Sequence, residues 1–158
     1  MRRFGIALLA LVLALAIDLG SKYYIITVMD LLTLRAVDVF PPLINFRMGW
    51  NEGINFGLFS EAPKIFRTIL IFVAIAISLG AMVWVMLSGT GWFGATSAGL
   101  LAGGALGNAW DRFQFGAVRD FLNMSCCGIQ NPYVFNLADV FIFAGVFGLI
   151  YVLEIRKT

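Results

Sequence analysis

The chain has 158 residues, of which 61% are hydrophobic and 13% are charged, and its mean hydropathy is +0.92. Soluble domains are about 45–50% apolar and about 25% charged, so the composition indicates an integral membrane protein with room for one small bundle. A net charge of +2 is too small to suggest a nucleic-acid partner. The chain has no histidine, the commonest transition-metal ligand and the usual general base, and we expect neither a metal nor a cofactor.

The first apolar segment follows two arginines and runs from Phe4 to Ile17. The basic start and the sequence Ala14-Leu15-Ala16 also fit a secretory signal peptide with its cleavage site. Against cleavage, the segment continues through Asp18 and Lys22 into aromatic residues and becomes long enough to span a bilayer. The i, i+4 spacing of Asp18 and Lys22 predicts an ion pair on one helix face, either purely structural or part of a site.

The next stretch, residues 27–64, is mixed and polar. Alternation from Leu43 to Met48 predicts a short strand, with Val37 to Phe40 as its possible partner. The segment from Asn51 to Gly57 has two glycines in five residues, which favours a loop. The Asn51 side chain has a donor and an acceptor suited to a peptide backbone, although the same residues fit an ordinary turn.

A long segment without charge extends from Thr68 to Trp110. One helix needs about 20 residues to cross a bilayer, so we predict two spans joined by a tight turn at residues 88–91. In the second span, Gly99, Gly103 and Gly107 share one helix face. Small residues on one face let helices approach closely in lipid, and helix packing is the expected role of these glycines.

Polar side chains return at the end of this span and after it. Asn108, Asp111 and Arg112 have the i, i+3, i+4 spacing that places them on one helix face. A second polar loop, residues 112–132, follows and carries Asp120 together with the adjacent cysteines 126 and 127. Neighbouring cysteines rarely form a disulfide because the ring is strained, so we expect free thiols that the activity does not need.

The last apolar segment is predicted to begin with Asn131 as N-cap and Pro132 as the first helical residue. It runs to about Leu153, and Asn136 and Asp139 share a face in its first two turns.

Four spans, at about residues 4–26, 65–87, 92–111 and 133–154, would form a single membrane-embedded domain of residues 1–158. Both termini then lie on one side, and eight of the nine acidic residues lie near the other side. Acidic residues at the ends of apolar segments cost free energy in a membrane protein. Their concentration near one side therefore indicates a functional site. The count of Lys and Arg does not fix the orientation, because the loops carry seven of them and the termini four.

Asp120 and Asp139 are the candidate catalytic pair. Two nearby carboxylates that share one proton can activate water and protonate a leaving group in peptide hydrolysis. Arg112 or the asparagines are available to orient a peptide or stabilise an oxyanion. From the residues alone, an aspartic hydrolase, a transporter or channel, and an assembly protein all stay open. A transport path predicts acids spread through the membrane depth, whereas these cluster at one face.

Five motifs occur in order over nearly the whole chain, namely DLGSK from Asp18, NEGINFG from Asn51, GGALGNAWDR from Gly103, VRDF from Val118 and FNLAD from Phe135. Together they resemble the motifs of the lipoprotein signal peptidases, the type II signal peptidases of bacteria. The chain departs from the family pattern at Asn55, where a small apolar residue is common, and this difference does not touch the expected chemistry.

The resemblance implies an all-α integral membrane protein, with four transmembrane helices and a small extracytoplasmic β-sheet cradle and loop. It implies an aspartic endopeptidase that removes the signal peptide from diacylglyceryl-modified prolipoproteins by cutting before the lipidated cysteine. The enzyme is expected in the bacterial inner membrane, among membrane lipids, with cytoplasmic termini and an extracytoplasmic active site. Inhibition by globomycin-type cyclic peptides is also expected.

The resemblance assigns roles by motif position and requires no metal. Asp120 and Asp139 are the catalytic residues, and a second group supports the site. The substrate-binding group is Asn51, Gly53, Asn108, Arg112 and Asn136, and the supporting group is Asp18, Lys22 and Asp111.

Overall fold

The computed structural model describes residues 1–53, 64–128 and 131–155. Within these ranges the chain is mostly helical, with one small antiparallel sheet. Most of the second motif, including Asn55, lies outside the described residues. The elements are α1 (Arg2–Lys22) with a π-helical extension (Tyr23–Val28), α2 (Leu31–Leu34), β1 (Ala36–Phe40), β2 (Ile44–Asn51), α3 (Lys64–Leu87), α4 (Trp92–Phe115), β3 (Val118–Asn123) and α5 (Leu137–Ile155).

Three helices in the described part of the chain are long and apolar enough to cross a membrane. They are α1 with its extension, α3 and α5, and they carry large exposed apolar side chains such as Phe72 and Phe147. The helix α4 differs, because it contains several glycines and 14 of its 24 residues are buried. The structure therefore shows three candidate spans around a buried helix, and the fourth crossing stays a prediction.

Small residues let α4 pack closely against α1. A Cβ atom on Gly103 would lie 2.5 Å from the carbonyl oxygen of Leu11 and 2.8 Å from the Cβ of Ala14. A Cβ on Gly99 would lie 2.7 Å from the Cβ of Ala10. The predicted packing role of these glycines is confirmed, since the two backbones approach to a distance that only glycine permits.

The turn between α3 and α4 lies at the predicted position. Helix α3 ends at Leu87 and α4 begins at Trp92, so residues 88–91 form the connection. Gly89 adopts a φ of 62°, a left-handed conformation that suits a residue without a side chain. The short connection returns the chain alongside α3, and α4 also packs against α5.

The predicted hairpin is confirmed, and a third strand joins it. Strands β1 and β2 pair antiparallel, with Phe40 opposite Ile44. Strand β3 pairs with the other edge of β2, and Asp120 lies opposite Gly49. The small sheet that the resemblance implies is present, and its third strand lies within residues 112–132, where the residues alone predicted only a polar loop. Its pattern, VRDFLN, has two charged residues in six, and its pairing partner lies about 70 residues earlier, so no local signal marks it.

An apolar cluster fixes the sheet on the end of α1. Ile26, Leu31 and Phe121 are almost fully buried and pack together. The rings of Phe46 and Phe121 meet edge to face, with centroids 5.9 Å apart. The cluster therefore holds β3 at the end of the helices where the polar residues lie.

The start of α5 differs from the prediction. Pro132 does not begin a helix, because residues 131–136 are not helical, Phe135 forms an isolated β-bridge with Leu122, and α5 begins at Leu137. The side-chain amide of Asn123 donates 2.8 Å hydrogen bonds to the carbonyl oxygens of Asn131 and Tyr133. These bonds from β3 satisfy backbone carbonyl groups in a non-helical conformation, so tertiary contacts override the local helix signal.

The expectation of free thiols was also wrong, because Cys126 and Cys127 form a disulfide. The pair lies in an exposed turn, where Cys127 has a φ of 59° and Gly128 a φ of 82°. That the activity does not need these cysteines stays a prediction.

The close approach of α1 and α4 leads to a prediction about Gly103→Val. The new side chain would meet the backbone of Leu11, which cannot move aside, and we expect a loss of about 1–3 kcal/mol in the free energy of unfolding. Gly80→Val in α3 is the matched control, since a Cβ there meets no atom within 4 Å. We would measure the unfolding midpoints of the two variants in detergent. Equal midpoints would contradict the close packing of α1 against α4 at Gly103.

Candidate active site

Asn136 and Asp139 hold each other at the start of α5. The side-chain oxygen of Asn136 accepts the Asp139 N–H at 3.1 Å, and Asp139 Oδ2 accepts the Asn136 N–H at 3.2 Å. Such reciprocal bonding is a capping box, here with aspartate in the place of the usual glutamate. The second oxygen of Asp139, Oδ1, accepts a 2.9 Å hydrogen bond from the side-chain amide of Asn108. Both oxygens of this carboxylate are therefore positioned by asparagines.

Asp120 on β3 is bonded to the same asparagine. The Asn136 side-chain amide donates to Asp120 Oδ1 at 2.6 Å and to Asn108 Oδ1 at 3.2 Å. The Asn51 side-chain amide donates to Asp120 Oδ2 at 3.3 Å. Because Asn136 contacts both carboxylates, the structure brings Asp120 and Asp139 into one hydrogen-bonded group, with 2% and 5% of their surfaces exposed.

The environment of Asp120 disfavours its negative charge. Burial, and next the nearby Asp139 carboxylate, raise the pKa of Asp120 to about 7. The hydrogen bonds from Asn136 and Asn51 and the positive charge of Lys22 act in the opposite direction, and they are weaker. Near neutral pH, Asp120 can therefore hold a proton or release it, which is what acid–base catalysis needs.

Arg112 reaches the same region from the last turn of α4. Its Nη2 atom donates a 2.7 Å hydrogen bond to the carbonyl oxygen of Gly53. Its Nε atom is buried and has no hydrogen-bond partner among the described residues. The guanidinium charge interacts favourably with Asp139 and Asp120. A buried, unpaired donor beside two carboxylates is available to bind a carbonyl oxygen of a ligand.

A buried cation lies beneath this group. Lys22 Nζ is 2.8 Å from Asp18 Oδ2 and 3.0 Å from Asp111 Oδ2, and all three side chains are fully buried. The predicted pairing of Asp18 with Lys22 is confirmed, and Asp111 is its second partner. Asp18 Oδ1 also accepts the N–H of Ala138 at 3.0 Å. One cation thus connects α1 with α4, and Asp18 connects both to the start of α5.

Arg119 completes this network, and sequence reasoning gave it no role. Its Nη2 is 2.7 Å from Asp111 Oδ1, and its backbone N–H donates to Asp111 Oδ2 at 3.0 Å. Its guanidinium carbon lies 3.9 Å from the ring centroid of Phe115. Asp111 lies in α4 and Arg119 in β3, and the helix ends between them, so no single helix or strand period relates the two residues and the sequence offered no signal for this contact. Arg119 positions the start of β3, one residue before Asp120.

A cavity of about 300 Å³ reaches Asp139 from the side of α5. It is largely apolar and is lined by Tyr133, Val134, Phe135, Val140 and Phe143. The described residues contain no cluster of three or more His, Cys, Asp or Glu side chains that could hold a metal ion.

All ten predicted site residues lie in the described part of the chain. The structure groups Asp120, Asp139 and three asparagines, and it places Arg112 with Gly53 beside them. Asp18, Lys22 and Asp111 lie in the supporting network and do not bond to either catalytic candidate.

The fold is that of a membrane enzyme. A solved structure described as a bacterial membrane enzyme superposes with a TM-score of 0.82 and 28% identity, over 98% of this chain and 90% of that chain. A second one gives a TM-score of 0.79 and 27% identity, over 94% and 92% of the two chains.

The sequence comparisons identify the family. The family described as Signal peptidase (SPase) II matches residues 10–155. The lipoprotein signal peptidase of Methylorubrum extorquens strain PA1 is 39% identical over 150 residues, which cover 95% of this chain and 86% of the relative. That of Nitrobacter hamburgensis is 40% identical over 151 residues, covering 91% and 88%. The chain belongs to the lipoprotein signal peptidase (signal peptidase II) family and is a bacterial membrane peptidase.

The supporting network leads to a prediction about Asp18→Asn. The change removes one of two carboxylates around a buried lysine, and we expect a loss of about 3 kcal/mol in the free energy of unfolding. This loss is at the lower end of the range that is usual when one partner of a buried ion pair is removed, because Asp111 still pairs with Lys22. Asp38→Asn is the matched control, since Asp38 is 62% exposed and lies 3.7 Å from Arg47. Similar unfolding midpoints for the two variants would show that the network does not stabilise the fold.

Proposed function

We propose that this chain is an aspartic endopeptidase that removes the signal peptide from diacylglyceryl-modified prolipoproteins, cutting before the lipidated cysteine. Membership of the lipoprotein signal peptidase family supports the substrate class. One observation supports the aspartic mechanism most directly. The two buried carboxylates, Asp120 and Asp139, are bridged by one asparagine, Asn136, which bonds to both.

The pair can divide the two proton transfers of peptide hydrolysis. We assign the shared proton to Asp120, whose pKa is raised, and the role of base to Asp139. The Asp139 carboxylate accepts a proton from water as the water oxygen attacks the scissile carbonyl carbon, and Asp120 donates its proton to the carbonyl oxygen. Proton transfer to the peptide nitrogen then lets the C–N bond break, which releases an amine and a carboxylic acid.

Arg112 and the asparagines hold the substrate in this mechanism. The unpaired Nε of Arg112 is suited to a substrate carbonyl oxygen, and its positive charge stabilises the negative charge that builds up on this oxygen as Asp120 protonates it. Asn51 and Gly53 present backbone and side-chain groups to an extended peptide. The apolar cavity beside Asp139 accepts the apolar part of the substrate next to the scissile bond.

The proposed membrane arrangement has four crossings in one domain, with α4 as the third, and with residues 27–64 and 112–132 outside the cytoplasm. In the inner membrane, both termini would be cytoplasmic, and the sheet and dyad would face the extracytoplasmic side. A lipidated substrate lies in the bilayer with its scissile bond near the interface, where helix ends lie. Globomycin-type cyclic peptides would occupy the same site as the extended substrate.

The catalytic assignment predicts the behaviour of Asp120→Asn and Asp139→Asn. Each variant should lose turnover while it still inserts and folds, because an amide neither accepts nor donates the required proton. Asp30→Asn, on the exposed turn after α1, is the matched control and should keep wild-type turnover. A gel-shift cleavage assay in detergent measures turnover on one prolipoprotein, with and without its diacylglyceryl group.

Cleavage of the lipidated form alone, lost in both dyad variants, is the expected result. Near-full activity in either variant would overturn the dyad. Cleavage of both substrate forms would overturn the requirement for lipid. No cleavage by folded wild-type protein would contradict the peptidase function, and proton flux in liposomes would then be measured.

The raised pKa of Asp120 predicts the pH dependence of cleavage. The activity should fall as the pH rises through about 7, because Asp120 then loses the shared proton. Asn51→Ala removes a hydrogen bond that favours the ionised form of Asp120, so the pKa of Asp120 should rise. The alkaline limb of the pH–activity profile should then move to higher pH. Asn45→Ala, an asparagine of the same strand, should leave this limb in place. A shift of the Asn51→Ala limb to lower pH would contradict the assignment.

A further inference from the structure

A cationic pocket lies at the active-site end of α3, outside the dyad. Its volume is about 440 Å³, and it is lined by Lys64 and Arg67 of α3 and by Trp50 and Glu52 at the end of β2. Phe115, Gly116 and Ala117, where α4 ends, form the remaining wall. None of these side chains bonds to Asp120 or Asp139, so the pocket is separate from the proposed catalytic group.

The two cations of this pocket have no acidic partner in the described part of the chain. Neither Lys64 nor Arg67 forms an ion pair there, and Glu52 is the one carboxylate that lines the pocket. Gly116 makes room for the guanidinium, because a Cβ at this position would lie 2.8 Å from Arg67 Nη1. From the residues that the structure describes, the pocket has two positive charges, one negative charge and aromatic walls, which suits a singly charged anion.

An apolar groove continues from this pocket along the same helices. Its volume is about 490 Å³, and it lies between α1, α3 and α4. On α3, Arg67 of the pocket and Ile71 and Ile75 of the groove have the i, i+4, i+8 spacing of one helix face. On α4, Phe113 lines the groove and Phe115 lines the pocket. The polar pocket therefore lies at the helix ends, and the groove lies on their membrane side.

We propose that the two cavities together bind one phospholipid with an anionic headgroup. Its phosphodiester contacts Lys64 and Arg67, and an acyl chain lies in the groove beside Ile71 and Ile75. The order of charge and apolar surface along α3 is the order of headgroup and chain in a bilayer leaflet. A free phosphate would fit the cations Lys64 and Arg67, but it would leave the apolar groove without a ligand.

The proposed lipid would lie beside the segment that contacts the active-site residues. Trp50 and Glu52 alternate along the chain with Asn51 and Gly53, which contact Asp120 and Arg112. A headgroup in the pocket would therefore pack against the segment that carries these contacts. The bound lipid braces the substrate-binding segment without contacting the substrate.

The test uses native mass spectrometry of the purified full-length protein in detergent. The probes are phosphatidylglycerol and phosphatidylcholine with identical long acyl chains, and inorganic phosphate. We expect preferential retention of phosphatidylglycerol, and a loss of about fivefold in its affinity for each of Lys64→Gln and Arg67→Gln. Arg47→Gln removes an exposed cation outside the pocket and should change nothing. Glu52→Gln should strengthen phosphatidylglycerol binding.

A groove variant distinguishes a lipid from a free anion. Ile75→Trp fills the groove and should weaken phosphatidylglycerol binding while the affinity for inorganic phosphate stays unchanged. Equal retention of the two lipids, or no effect of the cation and Glu52 variants, would overturn the proposal. Phosphate binding without any effect of Ile75→Trp on the lipid would assign a free-anion site instead. Displacement of phosphatidylglycerol by a signal peptide would assign the groove to the substrate and would also overturn it.

Discussion

The structure depends on one buried cation, Lys22, held between the carboxylates of Asp18 and Asp111. Removal of charged groups from water is costly, and the cost is offset only when the partners and remaining hydrogen bonds are in place. Here each carboxylate has a further partner, since Asp18 binds the Ala138 N–H and Asp111 binds Arg119. The network therefore forms only when α1, α4, α5 and β3 have assembled, and these are the elements that carry or flank the dyad.

The close packing of helices is what makes this interaction possible. A Cβ on Gly107 would lie 2.5 Å from Asp18 Oδ2, so a larger residue in α4 would displace the carboxylate. Earlier along the same face, Gly99 and Gly103 bring the two backbones together and set their separation. In lipid, where no hydrophobic force drives helices together, such contact surfaces supply much of the association energy. The glycines thus act on the site through the geometry of α1 and α4.

Asn136 connects the two carboxylates of the proposed dyad. Its backbone N–H and side-chain oxygen bond to Asp139, and its side-chain amide bonds to Asp120, so it fixes both carboxylates at once. The same bonds limit how far burial and like charge raise the pKa of Asp120, which stays at about 7. Structure and acid–base chemistry are therefore coupled through one side chain. The lipid proposed at the end of α3 would act on the neighbouring segment, from Trp50 to Gly53.

The sequence by itself determined those features that rest on local spacing or composition. The Asp18–Lys22 pair, the packing face of Gly103 and the first hairpin follow from helix or strand periods within a few residues. The turn at residues 88–91 follows from the length of the uncharged segment that it divides. The five motifs also identified the family. Only the tertiary structure decided that β3 is a strand and that α5 begins at Leu137, because both depend on pairing with distant backbone. It also decided the second partner of Lys22, since contacts between separate helices have no period in the sequence.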